Sequence, residues 1–395
     1  MASAAHSFFG LGPRDRSEHH RVSTPLELLF DLAIVVAIAS AGAGLHHAIS
    51  DAHAAEGILA FTFSFFAIWW AWMNYTWFAS AYDSSGPWFR FLTMVIILGA
   101  LLVAAGVPAL FAAKPFYLLW LGFVVMRVAQ ILLWLAAARG DPERRTTALR
   151  YACGLAIAQI YWSGVFLWGS PGSMPFALAF VAGMALELAV PAYAELAANT
   201  PWHRHHIIER YGLLNIIVLG ESMLASAAAM RRADLQLSLT NPLLHVGISA
   251  AVMAFAMWWA YFQREDHLAT QDHRRSFIWG YGHVVLFAAG AATGSGFGVL
   301  IDILTQKSTV GLRTGDIAVA VPVACYFAGL WFVRDRFQSS LVTRYALLAG
   351  ATAILACGLF LPAALELMTA CAVVAVVIRT IGGRKAQDVG RGHIR

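Results

Sequence analysis

Twelve uninterrupted apolar stretches leave this chain few folds to choose from. Each is about 20 residues long, the length that crosses the hydrocarbon of a bilayer. They run roughly over 25–48, 56–80, 89–112, 115–138, 147–169, 173–197, 206–230, 242–263, 277–304, 315–334, 342–360 and 361–380. Backbone polar groups in lipid must be satisfied within the segment, so runs of this length read as helices. The expected fold is an all-α polytopic membrane protein. The connections are short, and several carry turn residues: Ser85-Gly86-Pro87, Gly140-Asp141-Pro142, Ser170-Pro171-Gly172 and Asn241-Pro242. The turn at Pro362 alone separates the last two spans.

A soluble protein with a large core is excluded by charge. Only 12% of the residues are charged, against about 25% in soluble domains, and the mean hydropathy is +0.66. The partner implied is the lipid bilayer. A net charge of +5 invites a nucleic-acid reading, but the positive residues sit in loops and form no basic patch, so no nucleic-acid partner is expected. With the N-terminus inside, 21 Lys and Arg residues fall in cytoplasmic segments, from Arg14 to Arg395. Outside fall only Lys114, Arg231, Arg232, Lys307 and Arg313, and Arg127 lies within a span. This bias predicts a cell (inner) membrane protein with both termini cytoplasmic. The first 23 residues have no apolar run, so no cleavable signal is expected and the first span itself serves for insertion. Cys153, Cys325, Cys357 and Cys371 all lie in apolar runs without a CxxC pair. Neither a disulfide framework nor a thiolate metal site is indicated.

The polar residues inside the spans carry the functional question. An ionised carboxylate near the bilayer centre costs roughly 3 kcal/mol on insertion scales. Glu209-Arg-Tyr-Gly-Leu-Leu-Asn-Ile-Ile-Val-Leu-Gly-Glu221-Ser222 opens a span with one carboxylate and carries a second twelve residues deeper. Asn215 and Glu221 are six residues apart, about 120° around a helix, so they do not share one strict face. Glu27 and Asp31 are four apart, one turn on one face of the first span. Glu27 is expected near the boundary, within reach of interfacial water, and Asp31 one turn deeper. Glu27, Asp31, Glu209, Asn215, Glu221 and His283 are therefore the candidates for a proton or cation relay, with His283 the natural proton switch. Pairing with arginine as an interior lock is the competing role for the carboxylates. Arg127, Glu187, Asn74 and Gln263 are read as structural buried polar groups, the first two as an ion pair.

No catalytic residue, metal site or cofactor is expected. His205 and Glu209 stand four apart, but no HExxH occurs, and His19-His20 and His46-His47 lack metal-ligand spacing. Gly294-Ser-Gly296-Phe-Gly298 lies in an apolar run with no strand before it, and so reads as a packing or kink site rather than a nucleotide loop. Gly212 and Gly220 allow close helix approach and suggest that the seventh span is central.

Internal similarity points to duplication. Glu27 and Glu209 are offset by 182, Trp70 and Trp259 (in Phe66-Ala-Ile-Trp-Trp and Phe255-Ala-Met-Trp-Trp) by 189, and Arg150-Tyr-Ala and Arg344-Tyr-Ala by 194. The slow drift fits two repeats with loop insertions. The expected organisation is a cytoplasmic tail over 1–23, a first six-helix repeat over 24–199, a second over 200–380, and a basic cytoplasmic tail over 381–395. An even number of spans per repeat makes the halves parallel.

Two strings carry a family resemblance: Thr24-Pro-Leu-Glu-Leu-Leu-Phe-Asp-Leu-Ala-Ile-Val-Val-Ala-Ile and Glu209-Arg-Tyr-Gly-Leu-Leu-Asn-Ile-Ile-Val-Leu-Gly-Glu-Ser-Met. With the Trp69-Trp70 and His283 spans, they resemble the bacterial low temperature requirement protein A (LtrA) family over nearly the whole chain. The resemblance implies a multi-pass membrane protein linked by name to growth in the cold; it brings no settled biochemical activity. The expected function is a proton- or cation-linked small-solute transporter or channel, moving a proton, cation or small solute. The alternatives are a sensor or structural membrane protein supporting growth at low temperature and, more remotely, a lipid-acting membrane enzyme.

Overall fold

The computed structural model describes residues 10–15, 21–82, 86–169, 173–233, 238, 240–263 and 273–392, with backbone alone at 273–275 and 384–392. The Ser170-Pro171-Gly172 turn, the His19-His20 pair, Ser85, Arg264 and much of the two expected tails lie outside the described residues. Among those described there is no strand, and twelve helices are long and apolar enough to cross a membrane, with span hydropathies of 1.2 to 2.6. They are α1 (Pro25–Ser50), α2 (Ala54–Tyr82), α3 (Pro87–Phe111), α4 (Tyr117–Gly140), α5 (Arg145–Trp168), α6 (Met174–Glu195), α7 (Arg204–Ala233), α8 (Pro242–Phe262), α9 (His273–Leu304), α10 (Leu312–Val333), α11 (Leu341–Phe360) and α12 (Leu365–Gly392). Every expected span is matched by one helix. Short 3-10 turns at Pro142–Arg144 and Asp335–Phe337 precede α5 and α11.

The helix starts follow local chemistry. Proline, whose missing N–H costs nothing in the first turn, opens α1, α3 and α8. Thr24 and Glu27 form a reciprocal capping box on α1: the Glu27 N–H donates to Thr24 Oγ1 at 3.3 Å, and the Thr24 N–H donates to Glu27 Oε2 at 2.8 Å. Ser173, Asn241 and Ser340 cap α6, α8 and α11 through their side-chain oxygens.

The helices group into two compact units, the first of residues 1–41 and 60–210, the second of 42–59 and 211–395. The division cuts α1 after Ala41 and α7 after Arg210. In the first unit, α1 buries Phe30, Ala33, Ile34, Ala37 and Ile38 at helical spacing, while Leu28, Leu29, Leu32 and Val36 remain exposed. Large apolar side chains left on an outer face are what lipid contact requires. The α3–α4 pair packs at glycines, Gly99 against Met126 and Gly122 against Val103. Trp69, Trp70 and Trp72 of α2 are all buried.

In the second unit α9 is the most enclosed helix, with 72% of its apolar window buried against 39% for α7. The close approaches belong to its glycines: Gly294 faces the backbone of Glu221 and Ser222, Gly296 the backbone of Ala318, and Gly298 the His46 ring. Gly220 of α7 faces open space, and Gly212 meets only the far end of the Phe262 ring. The expectation of a central seventh helix is thus corrected. A glycine admits a neighbour only where one is supplied, and here α9 supplies the small residues.

Candidate functional site

The first unit holds a ladder of ionisable groups between α1 and α7. Glu27 and Asp31 are one turn apart on α1; His206 and Arg210 are one turn apart on α7. The same i, i+4 spacing on both helices sets the pairs opposite each other. His206 Nε2 lies 2.9 Å from Glu27 Oε1, and Arg210 Nη2 donates to Asp31 Oδ1 at 2.6 Å. Arg210 Nη1 is 3.8 Å from Glu27 Oε1, which ties the two rungs together. From α2, Trp72 Nε1 donates to Asp31 Oδ1 at 2.8 Å, and Thr76 Oγ1 lies 3.5 Å from Arg210 Nη2.

All four side chains are inaccessible: Glu27, His206 and Arg210 are 0% exposed and Asp31 is 3% exposed. Glu27 was expected to reach interfacial water. It does not, because its Oε2 is folded back into the capping box and its Oε1 is turned to α7. Three buried polar atoms of this ladder, Asp31 Oδ2, His206 Nδ1 and Arg210 Nε, have neither a hydrogen bond nor an ion-pair contact among the described residues, while Glu27 Oε1 has only its ion-pair contacts to His206 and Arg210. That is unusual, since buried polar atoms in folded proteins are nearly always bonded.

The other expected relay residues are dispersed. Glu209 is half-buried, and its Oε1 accepts from the Ser23 backbone N–H at 3.1 Å. Asn215, fully buried, accepts from the Tyr326 hydroxyl at 2.8 Å and leaves its Nδ2 without a partner. Glu221 is half-buried behind Gly294, and no hydrogen bond or ion pair holds it among the described residues. Asn215, Glu221 and His283 belong to the second unit, Glu27, Asp31 and Glu209 to the first. His283 is fully buried, with Nδ1 2.7 Å from the Trp279 carbonyl and Nε2 3.2 Å from the Tyr261 hydroxyl. A carbonyl can only accept, so Nδ1 carries the proton and Nε2 accepts from the tyrosine. The rings of Tyr211, Trp279 and Phe287 enclose it.

The groups read as structural also have defined partners. Arg127 Nη2 donates to Glu187 Oε1 at 2.7 Å; Trp162 Nε1 donates to the same oxygen at 3.0 Å, and Trp70 Nε1 to Oε2 at 2.7 Å. A small open pocket, lined mainly by Phe66, Phe123, Phe166, Phe180 and the two indoles, lies beside this pair. Asn74 donates to the Trp70 carbonyl one turn back on its own helix at 2.8 Å, whereas Gln263 accepts from Arg379 at 2.6 Å. These two residues occupy corresponding places in the sequence and do different work. Likewise Trp69 and Trp70 are buried, while Trp258 and Trp259 are 45% and 50% exposed.

Sequence reasoning missed several groups. His206 was passed over as one of a run of helix-entry histidines; its spacing from Arg210, matching that of Glu27 from Asp31, was the available signal. Arg21, Arg334 and Arg379 were counted as loop charges, yet all three are buried; Arg210, expected as a possible bridge to a neighbouring helix, is buried and bonds Asp31 of α1. Arg21 donates to the carbonyls of Ala79 and Ser80. Arg334 and Arg379 share Asp335: Arg334 Nε donates to Oδ1 at 3.0 Å, and Arg379 Nε donates to Oδ2 at 2.6 Å.

Comparison with known proteins adds a family. A family model described as bacterial low temperature requirement A protein (LtrA) matches residues 22–379, a stretch that includes both strings of the ladder. The chain is also similar to the uncharacterized protein RA0937 of Rhizobium meliloti (strain 1021), 24% identical over 288 residues that cover 69% of this chain and 67% of that one. No solved structure matches.

Proposed function

The chain belongs to the bacterial low temperature requirement A family, and on that premise we propose that this multi-pass membrane protein is a proton- or cation-linked small-solute transporter or channel. The charge balance of the α1–α7 ladder carries the reading. Two carboxylates, Glu27 and Asp31, face Arg210 and His206 in a fully buried setting, and the buried Arg21 guanidinium lies near enough to His206 to act on its charge. Between the two carboxylates and Arg210 one negative charge is left for His206 or Arg21 to answer. An uncompensated buried carboxylate costs several kcal/mol, so the ladder holds its charge low by taking up a proton, on His206 or on a carboxylate, or a small cation. The positive end of α1 beside Glu27 offsets at most about 2 kcal/mol of that cost. The acceptor atoms open to such a guest are Asp31 Oδ2 and the Glu27 Oε1–His206 pair; the Arg210 nitrogens only donate. Groups that bind and release a charge within a span are the working parts of ion-coupled carriers.

Glu221 enters this proposal as a further acceptor in the second unit, half-buried and free of a fixed partner. The duplication belongs to it as well. Asp141 and Asp335, 194 residues apart, each lie at a 3-10 turn in corresponding connections, with the same offset as Arg150 and Arg344. In this reading both termini are cytoplasmic, as the distribution of lysine and arginine predicts.

The test is flux in proteoliposomes under an imposed pH or cation gradient. Asp31→Asn and His206→Gln preserve shape and remove the exchangeable charge, so each is expected to abolish gradient-driven uptake in a correctly inserted protein. Wild-type rates and pH dependence in both variants would refute the role of the ladder. The second reading, a non-transporting sensor or structural membrane protein supporting growth in the cold, draws on the saturated Arg334–Asp335–Arg379 network, which has the bonding of a staple. It predicts loss of folded protein rather than of flux when Asp335 is replaced.

A further inference from the structure

Near the C-terminal end of α1, the sequence sets His46 and His47 side by side, and α9 brings Asp302 up to them. One donor atom from each of these three residues can be chosen so that all lie within 4.8 Å of one another. His46 Nε2 is 2.7 Å from Asp302 Oδ2, and the two imidazoles stack with centroids 5.0 Å apart. Asp302 and His46 are partly buried, with side chains 15% and 22% exposed, while His47 is open to solvent. All three residues belong to the second compact unit.

The hydrogen bonding of His46 decides what this cluster suits. Its ring rests on Gly298, where any side chain would collide with the imidazole, and Nδ1 is the atom nearest that position. Nε2 is turned to Asp302 Oδ2. A carboxylate oxygen only accepts, so at 2.7 Å either a proton on Nε2 or a metal ion lies between the two atoms. An imidazole nitrogen and a carboxylate oxygen converging on one point, with the ring held by its packing, offer a metal ion two ligands at once.

We propose that His46, His47 and Asp302 form a binding site for a divalent transition-metal ion, zinc foremost. Two imidazoles and one carboxylate are a borderline donor set that zinc accepts with tetrahedral geometry, at about 2.0–2.2 Å from each ligand. Tetrahedral ligands at that distance stand about 3.4 Å from one another. The His46–Asp302 pair therefore opens by less than 1 Å, and His47, being exposed, closes on the ion by side-chain rotation. The fourth position is left to water or a small anion. Binding fastens the end of α1 to α9 through a site that Gly298 makes possible, and its success or failure is independent of the α1–α7 ladder.

Titration of the purified, chelator-stripped full-length protein with Zn²⁺ by calorimetry tests the site. One ion per chain is expected, bound at least about tenfold more weakly by His46→Ala and by Asp302→Asn, with His205→Ala unchanged as the control. Absence of stoichiometric Zn²⁺ binding by the native protein, or full affinity in both variants, would overturn the proposal and leave an imidazolium–carboxylate bridge as the description of the pair. Should either variant fail to fold, Co²⁺ added to the native protein decides the matter. Visible bands of a low-coordinate site that bleach on Zn²⁺ addition support the proposal, and their absence refutes it.

Discussion

Replacing Glu187 by Leu removes the one carboxylate of a triad of donors. Arg127, 4% exposed, loses its counter-ion, and the indoles of Trp70 and Trp162 lose their acceptor. Breaking a buried ion pair from one side costs about 3–5 kcal/mol in soluble proteins. In a bilayer, interhelical hydrogen bonds average only about 0.6 kcal/mol and reach about 1.7, because the unfolded chain also finds partners there. Three bonds to one residue, one of them charge-assisted, then bring the expectation to about 3 kcal/mol. Arg127→Met alone costs less, since Glu187 keeps both indole donors. The double variant is expected to recover most of the loss, because neither ion remains; a residue of about 1–2 kcal/mol reflects the two orphaned indoles. The assay is a double-mutant cycle on reversible unfolding in bicelles, read as coupling between the two sites. Additive losses, with coupling below about 0.5 kcal/mol, would refute the argument that this pair is an interhelical staple.

Two glycines give opposite expectations. Gly294→Leu forces atoms onto the Glu221 and Ser222 backbone and is expected to cost about 1–3 kcal/mol, whereas Gly220→Ala, with nothing within 4 Å of the new methyl, is expected to gain about 0.5–1 kcal/mol; thermal unfolding in detergent checks both. Tyr326→Phe removes the one hydrogen bond that the buried Asn215 side chain makes among the described residues and is expected to destabilise by about 1–2 kcal/mol, read in the same experiment. Cysteines introduced at Glu143 and at Thr314 are expected to react with impermeant maleimide from opposite faces of the membrane; labelling of both from one side would overturn the topology inferred from charge.

The fold was legible because lipid reduces the problem to run length. Each of the twelve spans corresponds to one helix, and even the division at Pro362 is present, as a turn between Phe360 and Leu365. The partners were harder to read. The spacing of Glu27 and Asp31 was visible, but which of many arginines would meet them was not, because Arg210 looks like any boundary charge until α7 is docked. Asp302 lies 256 residues from His46, so no local spacing rule could join them. Burial misled in both directions. Glu27 was assigned to the interface although the capping box draws it inward, and the Trp258-Trp259 pair was matched to Trp69-Trp70 although only the latter is buried.

Three buried ionic clusters can be compared on one criterion, and it separates them better than net charge does. Arg127–Glu187 is balanced. Arg334–Asp335–Arg379 carries an excess positive charge, yet its arginines donate to the carbonyls of Ala260 and Tyr261 and to Gln263 Oε1. Those acceptors stand at the C-terminal end of α8, where the helix dipole is negative and favours a cation. No side-chain atom of Arg334, Asp335 or Arg379 is both buried and unpartnered. The second carboxylate of the α1–α7 ladder has only His206 and the nearby Arg21 to answer it. Thr24 and Trp72 satisfy one oxygen on each carboxylate, and the helix end beside Glu27 contributes less than burial of the second charge costs. A saturated cluster has nothing further to bind, so replacing its members reports on stability alone. An unsaturated one has acceptors to spare, and under the transporter reading proposed above it is there that substitution should separate transport from folding.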